Sequence, residues 1–371
     1  MKLILERAGL LKSLAHVQGV VERRNAIAIL SNVLLDAGDG SLSLTTTDMD
    51  LAMVETVAAD ISQPGAVTVP ALTLYEIVRK LPEGAQMEFD ADGAEQLLLR
   101  SGRSQFKLAT LPVEDFPVMT EGDLPVRFAL DVDVLRKLID RTRFAMSTEE
   151  TRYYLNGIYL HAVEAPGGAV LRAVATDGHR LARIEIPLPE GAADMPGIIL
   201  PRKAVGELRK LIDETTGEVD VALSETKVRF TFDGGVLTSK LIDGTFPNYD
   251  RVIPEGNDKL LEVDRVQFAA AVDRVSTISV GKSRTVKLAL DTGTLVLSAT
   301  SPESGSASEE LEVNYGSDAL EIGFNSRYLL DITQQIEGEW ARFALADASS
   351  PTVVRDTGDD SALYVLMPMR V

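Results

Sequence analysis

The sequence predicts an α+β fold of three repeated domains, each with two helices packed on antiparallel strands. Three observations carry that expectation. Two stretches rich in Pro and acidic residues, LPVEDFPVMTEGDLPV (111–126) and FPNYDRVIPEGNDKLL (246–261), break the chain of 371 residues into segments of similar length. Each is built around a Phe-Pro pair, Phe116-Pro117 and Phe246-Pro247, about 130 residues apart. Inside the segments the same elements recur in the same order, which is the mark of an internal repeat. The expected domains are 1–120, 127–250 and 256–371.

Each copy opens on an amphipathic stretch with apolar residues at three- and four-residue spacing: RAGLLKSLAHVQGVV, VDVLRKLIDRTRFAM and RVQFAAAVDRVSTI. This spacing predicts helices. Alternating stretches follow, read as strand pairs: LSLTTTDMDLAMVETV, LRAVATDGHRLARIEI and LVLSATSPESGSASEELEV. Thr47-Asp48 aligns with Thr176-Asp177, so both copies turn at the same place. A second helix is expected at PALTLYEIVRKL, PRKAVGELRKLI and NSRYLLDITQQI, and a closing strand at FKLATLP, LTSKLID and ALYVLMP.

Hydrophobic residues make up 45% of the chain and aromatics 5%, so the core is mostly aliphatic. The absence of cysteine excludes disulfides, Cys-ligated zinc and a thiol nucleophile, and fits a reducing compartment. Leu3-Ile4-Leu5 precedes Glu6 and Arg7, too short for the ~7–15-residue apolar region of a signal peptide. No run approaches the ~18 apolar residues of a spanning helix, so a soluble cytoplasmic protein without a membrane partner is expected. Net charge is −19, which taken alone argues against nucleic acid. Its placement argues otherwise. The six helical stretches together carry +8, leaving −27 for strands and loops. The helices are basic and the sheets acidic.

The stretch Thr176-Asp177-Gly178-His179-Arg180 has the residue types of an active site. An enzyme using Asp177, His179 and Arg180 is nevertheless poorly supported, because no activated serine or G-x-S-x-G elbow accompanies them. His16 falls in a helix and His161 in a strand, neither at metal-ligand spacing with His179. The alternation instead predicts a hairpin turning at Asp177-Gly178. Val280-Gly281-Lys282-Ser283 ends like a phosphate-binding loop, but Ser276 stands where its first glycine is required. A generic multi-domain scaffold is a third reading. No cofactor, metal or catalytic residue is expected.

Over its whole length the chain resembles the bacterial β sliding clamps, the processivity subunits of DNA polymerase III. The resemblance rests on RYYLNG (152–157), ATDGHRLA (175–182), PRKAV (201–205), TSKLIDGTFPNYDRVIP (238–254), EIGFN (321–325) and YVLMPMR (364–370). It implies a head-to-tail homodimeric ring of clamp-type domains that encircles double-stranded DNA, with helices lining the hole. It also implies that a separate clamp loader opens the ring. With the helices facing DNA, the cations expected on that side are Arg24, Arg79, Lys80, Arg136, Lys137, Arg141, Arg152, Arg202, Lys203, Arg209, Lys210 and Lys240; by resemblance Arg24, Tyr153 and Tyr154 match positions that touch DNA, the tyrosines either stacking on exposed bases or serving as partly buried core aromatics, and the family can carry Gln where this chain has Glu149.

The resemblance further implies a pocket for short Gln-Leu-x-Leu-Phe-type motifs of the polymerase III catalytic subunit, the loader, other polymerases and repair proteins. Leu155, Thr176, Gly178, His179, Arg180, Leu181, Pro247, Val252, Val365, Met367, Pro368, Met369 and Arg370 would line it. Leucine, valine and methionine would form an apolar floor, with His179 and Arg180 as a polar rim. Arg103, Phe106, Leu108, Thr277 and Ile278 would form the dimer interface, Arg103 facing the glutamates of SPESGSASEE.

Overall fold

The structure, a computed structural model, describes residues 1–91, 96–120, 122–279 and 284–371. The Val280-Gly281-Lys282-Ser283 stretch lies outside the described residues. All six expected helices form: α1 (Arg7–Val17), α2 (Ala71–Lys80), α3 (Val132–Arg143), α4 (Arg202–Asp213), α5 (Arg265–Ser276) and α6 (Ser326–Thr333). The opening helices start directly after a strand ending in an acidic residue, Glu6, Asp131 or Asp264. Two of these acids serve the helix start. Asp131 Oδ1 accepts from the Asp133 and Val134 amides, and Asp264 Oδ1 accepts from Gln267 N at 2.8 Å.

The elements gather into two compact units. The first comprises 1–136, 189–196 and 203–241; the second comprises 137–188, 197–202 and 242–371. The first unit holds a five-stranded sheet, in spatial order Asp60–Gln63, Lys2–Glu6, Gln86–Asp90, Gln96–Ser101, Ser104–Ala109. It also holds an eight-stranded sheet: Val126–Asp131, Glu218–Leu223, Lys227–Phe232, Gly235–Lys240, Leu51–Ala58, Ser41–Thr47, Asn32–Gly38, Gly65–Pro70. The second unit holds a nine-stranded sheet, in which Arg180–Pro187 lies beside Ala362–Leu366, and a four-stranded sheet ending on Gly305–Glu312.

The repeats are therefore joined by strand pairing. In the first unit the strand after the Thr-Asp turn, Leu51–Ala58, pairs antiparallel with the closing strand of the next copy, Gly235–Lys240, in the register Leu51↔Ser239 and Met53↔Leu237. In the second unit Arg180–Pro187 pairs in the same way with Ala362–Leu366, in the register Arg180↔Leu366 and Ala182↔Tyr364. The two edges that this rule leaves over are Ser104–Ala109, the closing strand of the first copy, and Gly305–Glu312, the post-turn strand of the third.

Each opening helix carries a cation at its tenth position that pairs with an acid, and in the first two copies it reinforces the join. In α1 that residue is His16, whose Nδ1 lies 2.6 Å from Glu55 on the seam strand and whose Nε2 lies 3.3 Å from Glu214 just past α4. In α3 it is Arg141, paired with Glu337 at 3.1 Å and Asp359 at 3.4 Å. In α5 it is Arg274, held by Glu309 on the post-turn strand through two hydrogen bonds of 3.0 and 2.5 Å. Four residues before His16 and Arg141, Lys12 and Lys137 repeat the tie, Lys12 to Glu214 at 3.6 Å and Lys137 to Asp359 at 2.8 Å.

The Glu55 hydrogen bond raises the His16 pKa above the ordinary histidine value, although burial opposes it. A raised folded-state pKa contributes stability that is complete below the unfolded value and is lost as pH rises through the folded one. We expect His16→Gln to lower the thermal midpoint of unfolding clearly at about pH 6 and much less at about pH 9. An equal loss at both pH values would contradict the charged His16 tie.

Candidate functional site

Thr176-Asp177-Gly178-His179-Arg180 is a tight hairpin turn whose polar atoms are consumed locally. Asp177 Oδ1 accepts from the amides of His179 at 2.9 Å and Arg180 at 3.0 Å. Thr176 Oγ1 donates to the Arg180 carbonyl at 2.7 Å and accepts from Gly178 N at 3.1 Å. Gly178 takes φ +86°, and a Cβ there would stand 2.5 Å from Arg152 Nη1. The first copy repeats the turn bond for bond: Asp48 Oδ1 accepts from Asp50 N and Leu51 N, while Thr47 Oγ1 donates to the Leu51 carbonyl and accepts from Met49 N. Met49 occupies the glycine position with φ +79°.

Each turn also reaches into the following copy. The second carboxylate oxygen of Asp48 accepts from Lys203 Nζ at 2.6 Å, in the first turn of α4, and Lys203 further engages Glu22 and the Val20 carbonyl. Arg180 does the equivalent work in the second unit. It is buried, and it donates to Asp177 Oδ2 at 3.1 Å, Asp331 Oδ2 on α6 at 2.5 Å and the Phe144 carbonyl at 2.6 Å. Its guanidinium also lies 4.3 Å from the Tyr328 ring centroid. Arg180 is thus a buried tie and not the expected polar rim, because every direction of its fork is already occupied. Thr176 is likewise a buried turn residue. His179 remains exposed, with its carbonyl accepting from Met367 N at 2.9 Å.

Below the turn the structure brings Leu155, Leu181 and Val365 into one buried cluster with Val174, Ile199, Phe246, Tyr249, Val353 and Leu363. Pro247, Val252 and Met367 lie beside cluster residues in the chain and are exposed, the last two at 48% and 40%, with Gly178, His179 and Arg370 also exposed. Met369 is tied to a second sheet as well. Its amide donates to the Gly323 carbonyl at 2.8 Å and its sulfur accepts from Thr285 at 3.7 Å, so it fastens the chain end to the four-stranded sheet. Pro368 sits half-buried between them. Phe246 and Tyr249 escaped the sequence reading, which took only their neighbours; two aromatics flanking Pro247 in FPNY were the available signal.

Of the twelve cations expected on the DNA side, ten are already ion-paired. Arg79 and Lys80 share Glu76; Arg136 meets Asp133 and Asp213; Arg152 meets Glu149; Arg209 meets Asp213; Lys210 meets Glu207; Lys240 meets Asp50. Lys137, Arg141 and Lys203 complete the set through the acids given above. Arg141, only 3% exposed, is withdrawn from any surface role by its place in the repeat tie. Arg202 donates to the Met146 and Ser147 carbonyls, and Arg24 is exposed with no ion pair among the described residues. Tyr153 is 54% exposed; Tyr154 is half-buried against the apolar cluster, with its ring edge-on to Tyr153 at 5.8 Å.

At the expected interface, Phe106 and Leu108 lie on the edge strand Ser104–Ala109. Leu108 is buried by its own sheet, opposite Leu97, because it alternates inward; Phe106 on the same face is half-buried. Leu108 is therefore a core residue, not a free contact. Thr277 is exposed and Ile278 half-buried just past α5, and Arg103 is exposed in the turn before the edge strand. Glu309, expected to face Arg103, already pairs with Arg274. No group of His, Asp or Glu among the described residues is arranged to hold a metal ion, and no described helix is long and apolar enough to cross a membrane.

A repeated α+β protein joined by strand seams, with its polar turn committed to structure, is built to assemble and bind. Comparison with known proteins agrees. Models of the DNA polymerase III beta subunit match in succession, the N-terminal domain over residues 1–120, the central domain over 129–248 and the C-terminal domain over 250–370. The chain belongs to this family, the β sliding clamps, which are clamps and not enzymes. It is 54% identical to the beta sliding clamp of Caulobacter vibrioides (strain NA1000 / CB15N) and 40% identical to that of Escherichia coli (strain K12), with full coverage of both chains in each case. The structure of a DnaN sliding clamp from Bartonella birtlesii bound to griselimycin superposes with a TM-score of 0.98 at 51% identity, covering all of both chains.

The two turns provide a paired test. A side chain at positive φ costs roughly 1–2 kcal/mol relative to glycine. Met49→Gly should therefore raise the unfolding free energy by about 1 kcal/mol, and Gly178→Ala should lower it by at least as much. Denaturant titration measures both; destabilisation by Met49→Gly would contradict the shared turn geometry.

Proposed function

We propose that two copies of this chain close head to tail into a ring around duplex DNA and tether replication and repair proteins through the surface above the Leu155–Leu181–Val365 cluster. The observation that carries this reading is the pair of leftover edges. The seam rule used twice within the chain, post-turn strand to next closing strand, leaves one side of Gly305–Glu312 and one side of Ser104–Ala109 unpaired among the described residues. Each is the partner type that the other lacks, so a second copy satisfies both. An interface formed by two heterologous edges closes when the rotation per copy allows it. The domains are taken as 1–120, 127–250 and 256–371, six in the ring, and Arg103, Phe106, Thr277 and Ile278 as interface residues. Cytoplasmic residence follows from work on chromosomal DNA.

Topological capture needs no tight contact, and the ion-paired basic face suits that need. A phosphate contact by Arg79, Arg136, Arg152, Lys210 or Lys240 competes with an acid already in place, so few counterions are released per contact. DNA then slides past cations held in neutral pairs, with Arg24 and Tyr153 as the freer contacts. Once the matched loader has placed it, the protein should persist on circular DNA and leave linear DNA with free ends rapidly. Equal lifetimes on the two would contradict capture by topology. Ile278→Asp should give monomers in sedimentation with little change in thermal unfolding; an intact dimer would displace the interface.

For the peptide site, exposed Val252, Pro247 and Met367 offer apolar contact, and His179 contributes only rim. Calorimetric titration with a Gln-Leu-x-Leu-Phe peptide should show a loss of about 1 kcal/mol or less for His179→Ala. Deleting Met367–Val371 should cost much more. Unchanged affinity after the deletion would remove the site from this surface.

A further inference from the structure

The segment that carries Pro247 and Val252 is fastened to the sheet by an aromatic cluster that no peptide group need touch. Tyr159 stacks on Phe246, with ring centroids 4.8 Å apart and planes inclined by 8°. It also stacks on His161, at 4.6 Å and 21°. His161 Nε2 lies 2.8 Å from the Tyr249 hydroxyl, with the two rings edge to face at 5.8 Å. Tyr249 opens the single helical turn Tyr249–Val252, and Phe246 directly precedes Pro247. Both rings also belong to the buried cluster beneath the site.

Arg172 bears on the sense of the His161–Tyr249 contact. Arg172 Nη1 donates to the Tyr249 hydroxyl at 3.2 Å, while Arg172 Nε donates to Glu185 at 2.6 Å. Arginine has no acceptor, so the Tyr249 oxygen accepts from Arg172 and keeps its proton available to His161 Nε2, the arrangement in which a neutral His161 carries its own proton on Nδ1. We propose that His161 is a positioning residue for the peptide site, holding the Phe246–Val252 segment in place through Tyr249 and the Tyr159–Phe246 stack. This rests on the peptide-site reading above and adds to it a residue below the surface.

The charges facing His161 come from three elements. Arg172 lies on Gly168–Thr176 and Glu185 on Arg180–Pro187, while Asp250 is in the helical turn. Burial, aided by Arg172, lowers the His161 pKa below the ordinary histidine value; Asp250 and Glu185 oppose the shift. The neutral form is therefore the folded one. The arrangement is complete above the ordinary histidine range and is lost as pH falls from there through the folded-state value. Protonation would turn Nε2 into a donor and set an imidazolium beside the Arg172 guanidinium.

The test is calorimetric titration of the full-length protein with a capped Gln-Leu-x-Leu-Phe peptide lacking titrating side chains, from about pH 8 down to the lowest pH at which the protein stays folded, with His161→Phe as the reference that isolates this histidine. The wild type should bind about five-fold more weakly at the acid end, the size of one hydrogen-bonded aromatic contact. His179→Gln should keep that dependence, since His179 is only rim. His161→Phe, which retains a stacking ring, should bind a few-fold more weakly at the upper pH and lose the dependence; Tyr249→Phe should match it without disturbing the fold. Wild-type affinity of both His161→Phe and Tyr249→Phe at the upper pH, or an acid-side loss in the wild type that persists in His161→Phe, overturns the proposal. If deletion of Met367–Val371 leaves peptide affinity unchanged, the site itself is elsewhere, and the proposal falls with it. Normal loss on deletion together with wild-type behaviour of both Tyr249→Phe and His161→Phe sinks the positioning role alone.

Discussion

Everything in this molecule depends on one backbone interaction, the antiparallel pairing of a post-turn strand with the closing strand of the next repeat. It occurs at Leu51–Ala58 with Gly235–Lys240 and again at Arg180–Pro187 with Ala362–Leu366. Sharing a sheet with the next copy supplies both backbone hydrogen bonds and apolar core. The Thr-Asp turn is placed where it is because it starts the seam strand. Its carboxylate is spent on two backbone amides and one cation, Lys203 at Asp48 and Arg180 at Asp177. A turn that looks like an active site is thus a joint.

The same joint explains the charge pattern. His16, Arg141 and Arg274 share the tenth position of their helices, and each meets an acid on or beside a seam strand. Asp359 shows how firmly such an acid is held. Burial would raise its pKa, yet the hydrogen bonds from Lys137 and Ser361 keep it well below the usual carboxylate range. Basic helices on an acidic body are therefore partly internal bookkeeping between repeats. A set of half-neutralised cations of this kind favours loose and mobile contact with a polyanion over tight binding.

Much of this was legible in the residues. Period-3.6 stretches located all six helices, and the repeat of Thr47-Asp48 at Thr176-Asp177 located both turns, because local chemistry alone dictates those features. The cluster of Leu155, Leu181 and Val365 came from family resemblance and is assembled from distant strands. Long-range pairing was not legible. Nothing local says that Arg180 spans to Asp331, that Arg141 is buried by Glu337 and Asp359, or that Met369 turns to Gly323. Leu108 was misplaced because an edge strand still has an inward face, and alternation put this leucine on it.

The account stands most directly on the two leftover edges, and backbone hydrogen exchange reads them without mutation. At protein concentrations that favour the dimer, amides in both Ser104–Ala109 and Gly305–Glu312 should be protected, and dilution should release the two strands together. Exchange at the rate of a free edge in both strands at every concentration, or a dimer that protects some other surface, would contradict the claim that the seam within the chain is also the seam between copies.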